Sequence, residues 1–326
     1  MEKVVVTGAN GFIGSYVSKK LLQKGLNVIA ISKSFHLNTK QLLSGAQFIE
    51  LNILDKEQLC SHNIEADAII HTATPNDIIS KDVLQGIELS VVGTKNILDF
   101  ATKNKIPRCI VFSTLQVYGT ELVGEIDENS KLEYQNDYGL NHLFAENYAE
   151  MYTRQGKLNC VSVRPSNVYG RILTEAFNRW TLVPGCFCKE SIETGKITIK
   201  SSGKQMRNFV NLENLSEAVY CILNNFPKSY QVYNIASSVG YTMLDVAKIT
   251  QGVFFDHFKR SIDIIVEGTE PLITNEFHIS IDKLNNIGFV EDNKFDLKSE
   301  IKEIIEYLLN NNKIKWIQYQ NLKKNV

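Results

Sequence analysis

"VVVTGANGFIGSYVSKKLLQKGLNVIAISKS" (residues 4–34) decides the fold. A β-branched run ends at Thr7, and Gly8, Gly11 and Gly14 follow it. Next comes a helical pattern with Ile13, Val17, Leu21 and Leu22 on one face, stopped by Gly25. A second apolar run, "NVIAIS", closes on Ser32 and Lys33. A buried strand, a glycine turn and a helix suit a dinucleotide: glycine allows a tight turn and close backbone approach, and the helix start offers unpaired N–H groups to a pyrophosphate. The spacing is G-x-x-G-x-x-G, a looser signal than G-x-G-x-x-G.

Outward from this unit the same rhythm repeats. "AQFIELNI", "ADAIIHTA", "RCIVFST" and "NCVSVRPSNVYG" read as further strands. "IELSVVGTKNILDFATKNK" and "DYGLNHLFAENYAEMYTRQG" read as helices, and "YQVYNIA" as a late strand of the same sheet. Strands that are nearly continuous apolar runs, alternating with helices, predict a doubly wound parallel sheet of the Rossmann α/β class. After Gly170 the rhythm changes, which predicts a smaller mixed α/β lobe for substrate. The expected division is 1–170 plus about 204–238 for the dinucleotide domain, and 171–203 plus 239–326 for the substrate lobe.

The 326 residues are 44% hydrophobic and 22% charged, an ordinary globular balance. A net charge of −1 gives no electrostatic case for nucleic acid. The C-terminal "NNNKIKWIQYQNLKKNV" is locally basic and reads as a solvated terminus. Six scattered cysteines show no zinc spacing, so no metal is expected, and they read as free thiols of a reducing, cytoplasmic setting. No apolar run is long enough to span a bilayer.

The motifs, taken in order, resemble the extended short-chain dehydrogenase/reductases, the nucleotide-sugar epimerase/dehydratase group. "TGANGFIG" (7–14) is similar to that family's nucleotide-binding turn. "HTAT" (71–74) resembles the strand-four motif along the cofactor, and "VFSTLQVYG" (111–119) the motif with a catalytic Ser or Thr, here Thr114. "YGLNH" (138–142) stands where the family has Tyr-x-x-x-Lys, "RPSNVYG" (164–170) resembles the strand-six loop, and "YNIASS" (233–238) fits the late strand. "GKQMRNFVNLENLSEAV" (203–219) is similar to the segment that puts an Arg on the substrate pyrophosphate, here Arg207. The resemblance implies a cofactor site at Gly8, Asn10, Gly11, Phe12, Ile13, Gly14, Ser32, Lys33, Asn52, Ile53, Ala73, Tyr138 and His142. It implies substrate contacts from Thr114, Tyr138, Asn167 and Arg207.

Three departures shape the expected chemistry. Relatives that use NAD end the second strand in Asp; Ser32 and Lys33 would accept a 2′-phosphate, so NADPH is expected, with NAD as the alternative. His142 replaces the family lysine four residues after Tyr138, still on the same helix face. Histidine lends less charge to a tyrosinate, but it can bind the ribose or relay a proton. Leu115 and Gln116 stand where the 4,6-dehydratases have Asp-Glu, which argues against water elimination.

What remains is a nucleotide-sugar 4-ketoreductase, with a 4-epimerase or dehydrogenase holding NAD tightly as the alternative. A non-catalytic dinucleotide-binding regulator is the alternative of another class. Relatives commonly dimerise through helices matching 86–104 and 138–155, so a homodimer is expected, with Val92, Ile97, Leu143 and Phe144 available to it.

Overall fold

The computed structural model describes residues 2–171, 180–269 and 276–310. The basic C-terminal stretch lies outside the described residues from residue 311 onward.

Strands β1 (Lys3–Thr7), β2 (Asn27–Ser32), β3 (Gln47–Glu50), β4 (Ala68–His71) and β5 (Arg108–Phe112) come first. β6 (Gly124–Ile126), β7 (Asn159–Pro165), β8 (Asn167–Tyr169), β9 (Lys196–Ile199) and β10 (Met206–Asn211) follow. β11 (Gln231–Ile235), β12 (Gly240–Thr242), β13 (Asp263–Val266) and β14 (Phe277–Ile279) complete the set. Seven of them form the main sheet in the order β11-β7-β5-β4-β1-β2-β3, every pair parallel. The direction of winding reverses between β1 and β4, and ligands of such sheets lie beyond the strand ends at that reversal.

Burial explains why these runs become strands. Val4 to Val6, Ile69, Ile70, Cys109 to Val111, Val161 and Val163 have no solvent exposure, as a sheet covered on both faces requires. Helix α1 (Phe12–Gln23) buries Val17 and Leu21. The short helices α2 (Leu37–Leu42), α3 (Lys56–Ser61) and α4 (Val83–Ile87) follow. The helix expected at 87–105 is a π-helical segment, Glu88–Val92, that runs into α5 (Gly93–Lys103). Helix α6 (Asp137–Arg154) is capped by Asn136, whose Oδ1 accepts from the Gly139 N–H at 2.8 Å.

Among the described residues one compact unit comprises 2–166, 215–238 and 278–290, and a second the remainder. Three expected boundaries move. Residues 167–170 belong to the second unit, where β8 pairs with β10. Residues 204–214 belong to the second unit, because β10 pairs with β8 and β12 and not with the main sheet. Residues 278–290 join the first, where the Ser280 carbonyl accepts from Asn234 Nδ2 at 3.3 Å and the Ile287 carbonyl from Cys221 Sγ at 3.3 Å. Ile97, expected at a dimer surface, is fully buried in the core of the first unit; Leu143 is half-buried, and Val92 and Phe144 are exposed.

Candidate active site

The glycine turn is built by lack of room. Gly8 has φ +70°, and a Cβ there would lie 2.8 Å from the Ala73 nitrogen. A Cβ on Gly14 would press into the Gly8 carbonyl and lie 2.6 Å from Thr72 Oγ1. The turn therefore packs directly on the end of β4, with Thr72 Oγ1 donating to the Thr7 carbonyl at 2.7 Å. No side chain caps α1 at Gly11, and no acid stands in its first turn. Such a helix start, with Phe12 and Ile13 half-buried on it, fits a pyrophosphate.

Asn10 Oδ1 accepts from the His36 N–H at 3.3 Å, tying this turn to the loop after β2. Half-buried Ser32 ends β2, and exposed Lys33 begins that loop. Asn52 Oδ1 accepts from the Leu54 N–H at 3.1 Å, so its amide nitrogen is the end left for a ligand. The Ile53 side chain is buried, and its carbonyl accepts from Asn96 Nδ2 at 3.0 Å.

Thr114 opens a short 3₁₀ turn, Leu115–Tyr118, at the end of β5. Its Oγ1 accepts from the Gln116 N–H at 3.2 Å, which leaves the hydroxyl proton free to donate. Gln116 does not stand as an acid or base: its Oε1 accepts from Asn136 Nδ2 at 3.0 Å. The Thr114 turn is thus fastened to the cap of α6, one residue before that helix begins and two before Tyr138.

His142 is 1% exposed, and its ring centroid lies 4.6 Å from that of Tyr138. Its Nδ1–H donates to the Phe112 carbonyl at 3.2 Å. Burial lowers its pKa to about 4, although the Phe112 and Pro75 carbonyls pull the other way. The ring is therefore neutral at pH 7, and Nε2 carries the lone pair. Nε2 is buried without a hydrogen-bond partner in the structure; the Pro75 carbonyl biases the ring without meeting hydrogen-bond geometry. An orphaned acceptor beside the tyrosine fits a ribose hydroxyl, and with the glycine turn it makes the site fit a nicotinamide dinucleotide.

A second buried histidine was missed as an individual residue, though "HTAT" contains it. His71 Nδ1 meets Thr7 Oγ1 at 2.7 Å and its Nε2 meets Thr94 Oγ1 at 3.2 Å. Burial, then the nearby His142, lowers its pKa to about 3. Also missed was a buried group around Arg164, whose fork takes both oxygens of Glu146 at 2.9 and 2.6 Å. The available signal was Glu146 itself, an acid four residues beyond His142 on the inward helix face.

In the second unit, Asn167 stands opposite Phe209 on adjacent strands, and its Nδ2 donates to the Asn208 carbonyl at 2.8 Å. Arg207, on the same sheet, is half-buried and donates to Gln205 Oε1 at 2.6 Å and to its neighbour's carbonyl at 3.4 Å. Burial lowers its pKa. The first unit thus brings together the glycine turn, Ala73, Thr114, Tyr138 and His142, while Asn167 and Arg207 share a sheet of the second. No cluster of three metal-ligating side chains occurs among the described residues.

A glycine turn at the reversal point of a parallel sheet is the arrangement of a dinucleotide-binding fold. The chain matches the NAD dependent epimerase/dehydratase family over residues 4–236 and belongs to it. A provisional UDP-glucose 4-epimerase of Methanocaldococcus jannaschii is 26% identical over 320 residues, covering 95% of this chain and 99% of that one. The human dTDP-D-glucose 4,6-dehydratase is 26% identical over 325 residues, covering 95% and 91%. The solved UDP-N-acetylglucosamine 4-epimerase of Methanobrevibacter ruminantium shares the fold, with a TM-score of 0.82 at 19% identity over 95% of this chain and 99% of that one. No helix among the described residues is long and apolar enough to cross a membrane.

Proposed function

We propose that this chain reduces a nucleotide-linked 4-keto sugar, with NADPH preferred over NADH. The observation that carries the reading is the neutral, buried imidazole of His142 against Tyr138. A lysine there would stabilise a tyrosinate; a neutral ring does not, so Tyr138 is suited to give a proton and poorly suited to take one. Reduction needs the giving, and the tyrosinate it leaves takes its proton back from water between turnovers.

The bound cofactor would supply hydride to the sugar carbonyl carbon. Tyr138 protonates the oxygen as it gains charge, and the Thr114 hydroxyl, oriented by the Gln116 N–H, donates to the same oxygen. His142 Nε2 accepts from the nicotinamide ribose. Arg207 grips the substrate pyrophosphate, and the Asn167 carbonyl end offers a further contact. Ser32 and Lys33 receive the 2′-phosphate. A homodimer joined by α5 and α6 fits the exposed Val92 and Phe144, and six free cysteines suit the cytoplasm.

A 4-epimerase with retained NAD is the second reading, favoured by the Methanocaldococcus relative that spans nearly the whole chain. One assay separates them. Purified protein is given NADPH or NADH and a panel of UDP-, GDP-, CDP- and dTDP-linked 4-keto sugars, and reduced-nicotinamide absorbance is followed. Stoichiometric loss supports the reductase, and Tyr138→Phe abolishes it while still binding cofactor. Interconversion of UDP-hexoses without net loss of absorbance supports the epimerase and overturns the first reading.

A further inference from the structure

Tyr138, His142 and Glu146 follow one another at four-residue intervals, so α6 presents all three on one face. His142 and Glu146 each grip the main sheet. His142 donates to the Phe112 carbonyl at the end of β5, and Glu146 holds the fork of Arg164 in β7, next to Val163, which is in register with Phe112. Arg164 has a further bond: its Nη1 donates at 2.8 Å to the hydroxyl of Tyr118, which closes the 3₁₀ turn that Thr114 opens. The Tyr118 hydroxyl in turn donates to Asn234 Oδ1 at 2.8 Å, and the guanidinium lies over the Tyr118 ring at 4.8 Å.

We infer that Arg164 and Glu146 are positioning residues that set the placement of Tyr138 relative to Thr114, because one guanidinium holds both the helix that carries the tyrosine and the turn that carries the threonine. The inference rests on the proposed roles of those two residues. Both members of the pair are 3% exposed. An ion pair so buried is seldom needed for stability, since well-packed apolar residues of like volume often serve as well. Its use is geometric: a planar fork with both carboxylate oxygens allows one rotation of the helix about its axis. Gln116 and Asn136 fix the start of α6, and Arg164 with Glu146 fixes it two turns further on.

The test uses the full-length protein and the variants Glu146→Gln and Arg164→Lys, which keep volume but lose the fork. Two readouts are taken. The first is ¹⁵N-histidine NMR, in which wild-type His142 shows the neutral Nδ1–H form, and His71, fastened to Thr7 and Thr94, is the internal control. The variants are expected to lose the single Nδ1–H form at His142 and to leave the tautomer of His71, whichever its two threonine partners select, as in the wild type. The second is turnover: kcat is expected to fall by about 100-fold with KM within about 3-fold of wild type, as a misplacement near 1 Å would produce. The inference is overturned if both variants leave His142 and kcat unchanged. It is equally overturned if His71 and His142 change together, which marks a fold-wide role. Should the wild type turn over no sugar nucleotide, the proposed function fails, and the NMR comparison still decides the positioning role.

Discussion

The rings of Tyr138 and His142 meet edge-on, their centroids 4.6 Å apart and their planes at 72°. In the proposed mechanism a phenol and an uncharged imidazole act together where the motif that the sequence resembles has a tyrosine and a cation. The His142→Lys variant restores that cation. Its alcohol-oxidation rate should rise about tenfold at pH 7, and the pH for half-maximal oxidation should fall by about one unit. A pH–rate profile in both directions checks this, and an unchanged profile would show that the charge of residue 142 does not govern Tyr138.

Two buried neutral histidines make the fold acid-sensitive. Their folded pKa values, about 3 for His71 and about 4 for His142, lie below the unfolded value near 6.5. Below that value the unfolded chain binds more protons, so stability is complete above pH 6.5 and falls as pH drops towards 4. Each histidine contributes a slope of about 1.4 kcal/mol per pH unit in that window. Urea unfolding at pH 7, 6 and 5 should show the decline, and His142→Gln should lessen it.

Cofactor choice hangs on the end of β2. Ser32→Asp places a carboxylate where a 2′-phosphate would sit and where ribose hydroxyls could donate to it. Preference should move from NADPH towards NADH by about 100-fold in the ratio of dissociation constants, roughly 2.7 kcal/mol. Fluorescence titration with each nucleotide measures it. Equal titration curves before and after the change would remove Ser32 from the site.

Gly14 admits no side chain. In Gly14→Ala the added carbon meets the Gly8 carbonyl and Thr72 Oγ1, both held in place by the end of β4. A shift of the turn should cost about 1–3 kcal/mol of stability and weaken dinucleotide binding. Thermal unfolding with and without NADPH reports both losses.

Phe144 is exposed on α6, and Val92 is exposed where the π-helical segment meets α5. If these helices join two copies, Phe144→Glu should convert a dimer to a monomer in light scattering while leaving the far-ultraviolet circular dichroism unchanged.

Much of this was legible before any tertiary structure. The apolar runs at Val4, Val28, Ala68 and Cys109 could be buried on both faces only as parallel strands, so the sheet followed from their composition and from the helical stretches between them. The glycine turn was legible because Gly8, Gly11 and Gly14 fall between a strand and a helix. Tyr138 and His142 stood out because "YGLNH" resembles the family's Tyr-x-x-x-Lys motif, and the four-residue interval then places the two side chains on one helix face.

Less local properties were not. The sequence put a histidine at 142, but only packing against the end of β5 takes it out of water and lowers its pKa; ionisation depends on burial, which no interval encodes. Gln116 read as a missing acid, and the fold makes it the tie between a strand end and a helix cap. Arg164 and Glu146 stand 18 residues apart and read as unrelated charges until β7 and α6 bring them together. Sequence by itself determined the elements and the identity of the chemical groups, because these follow from side-chain type and local periodicity. Tertiary structure alone decided which groups are charged and which are fixed, because these follow from contacts between residues distant along the chain.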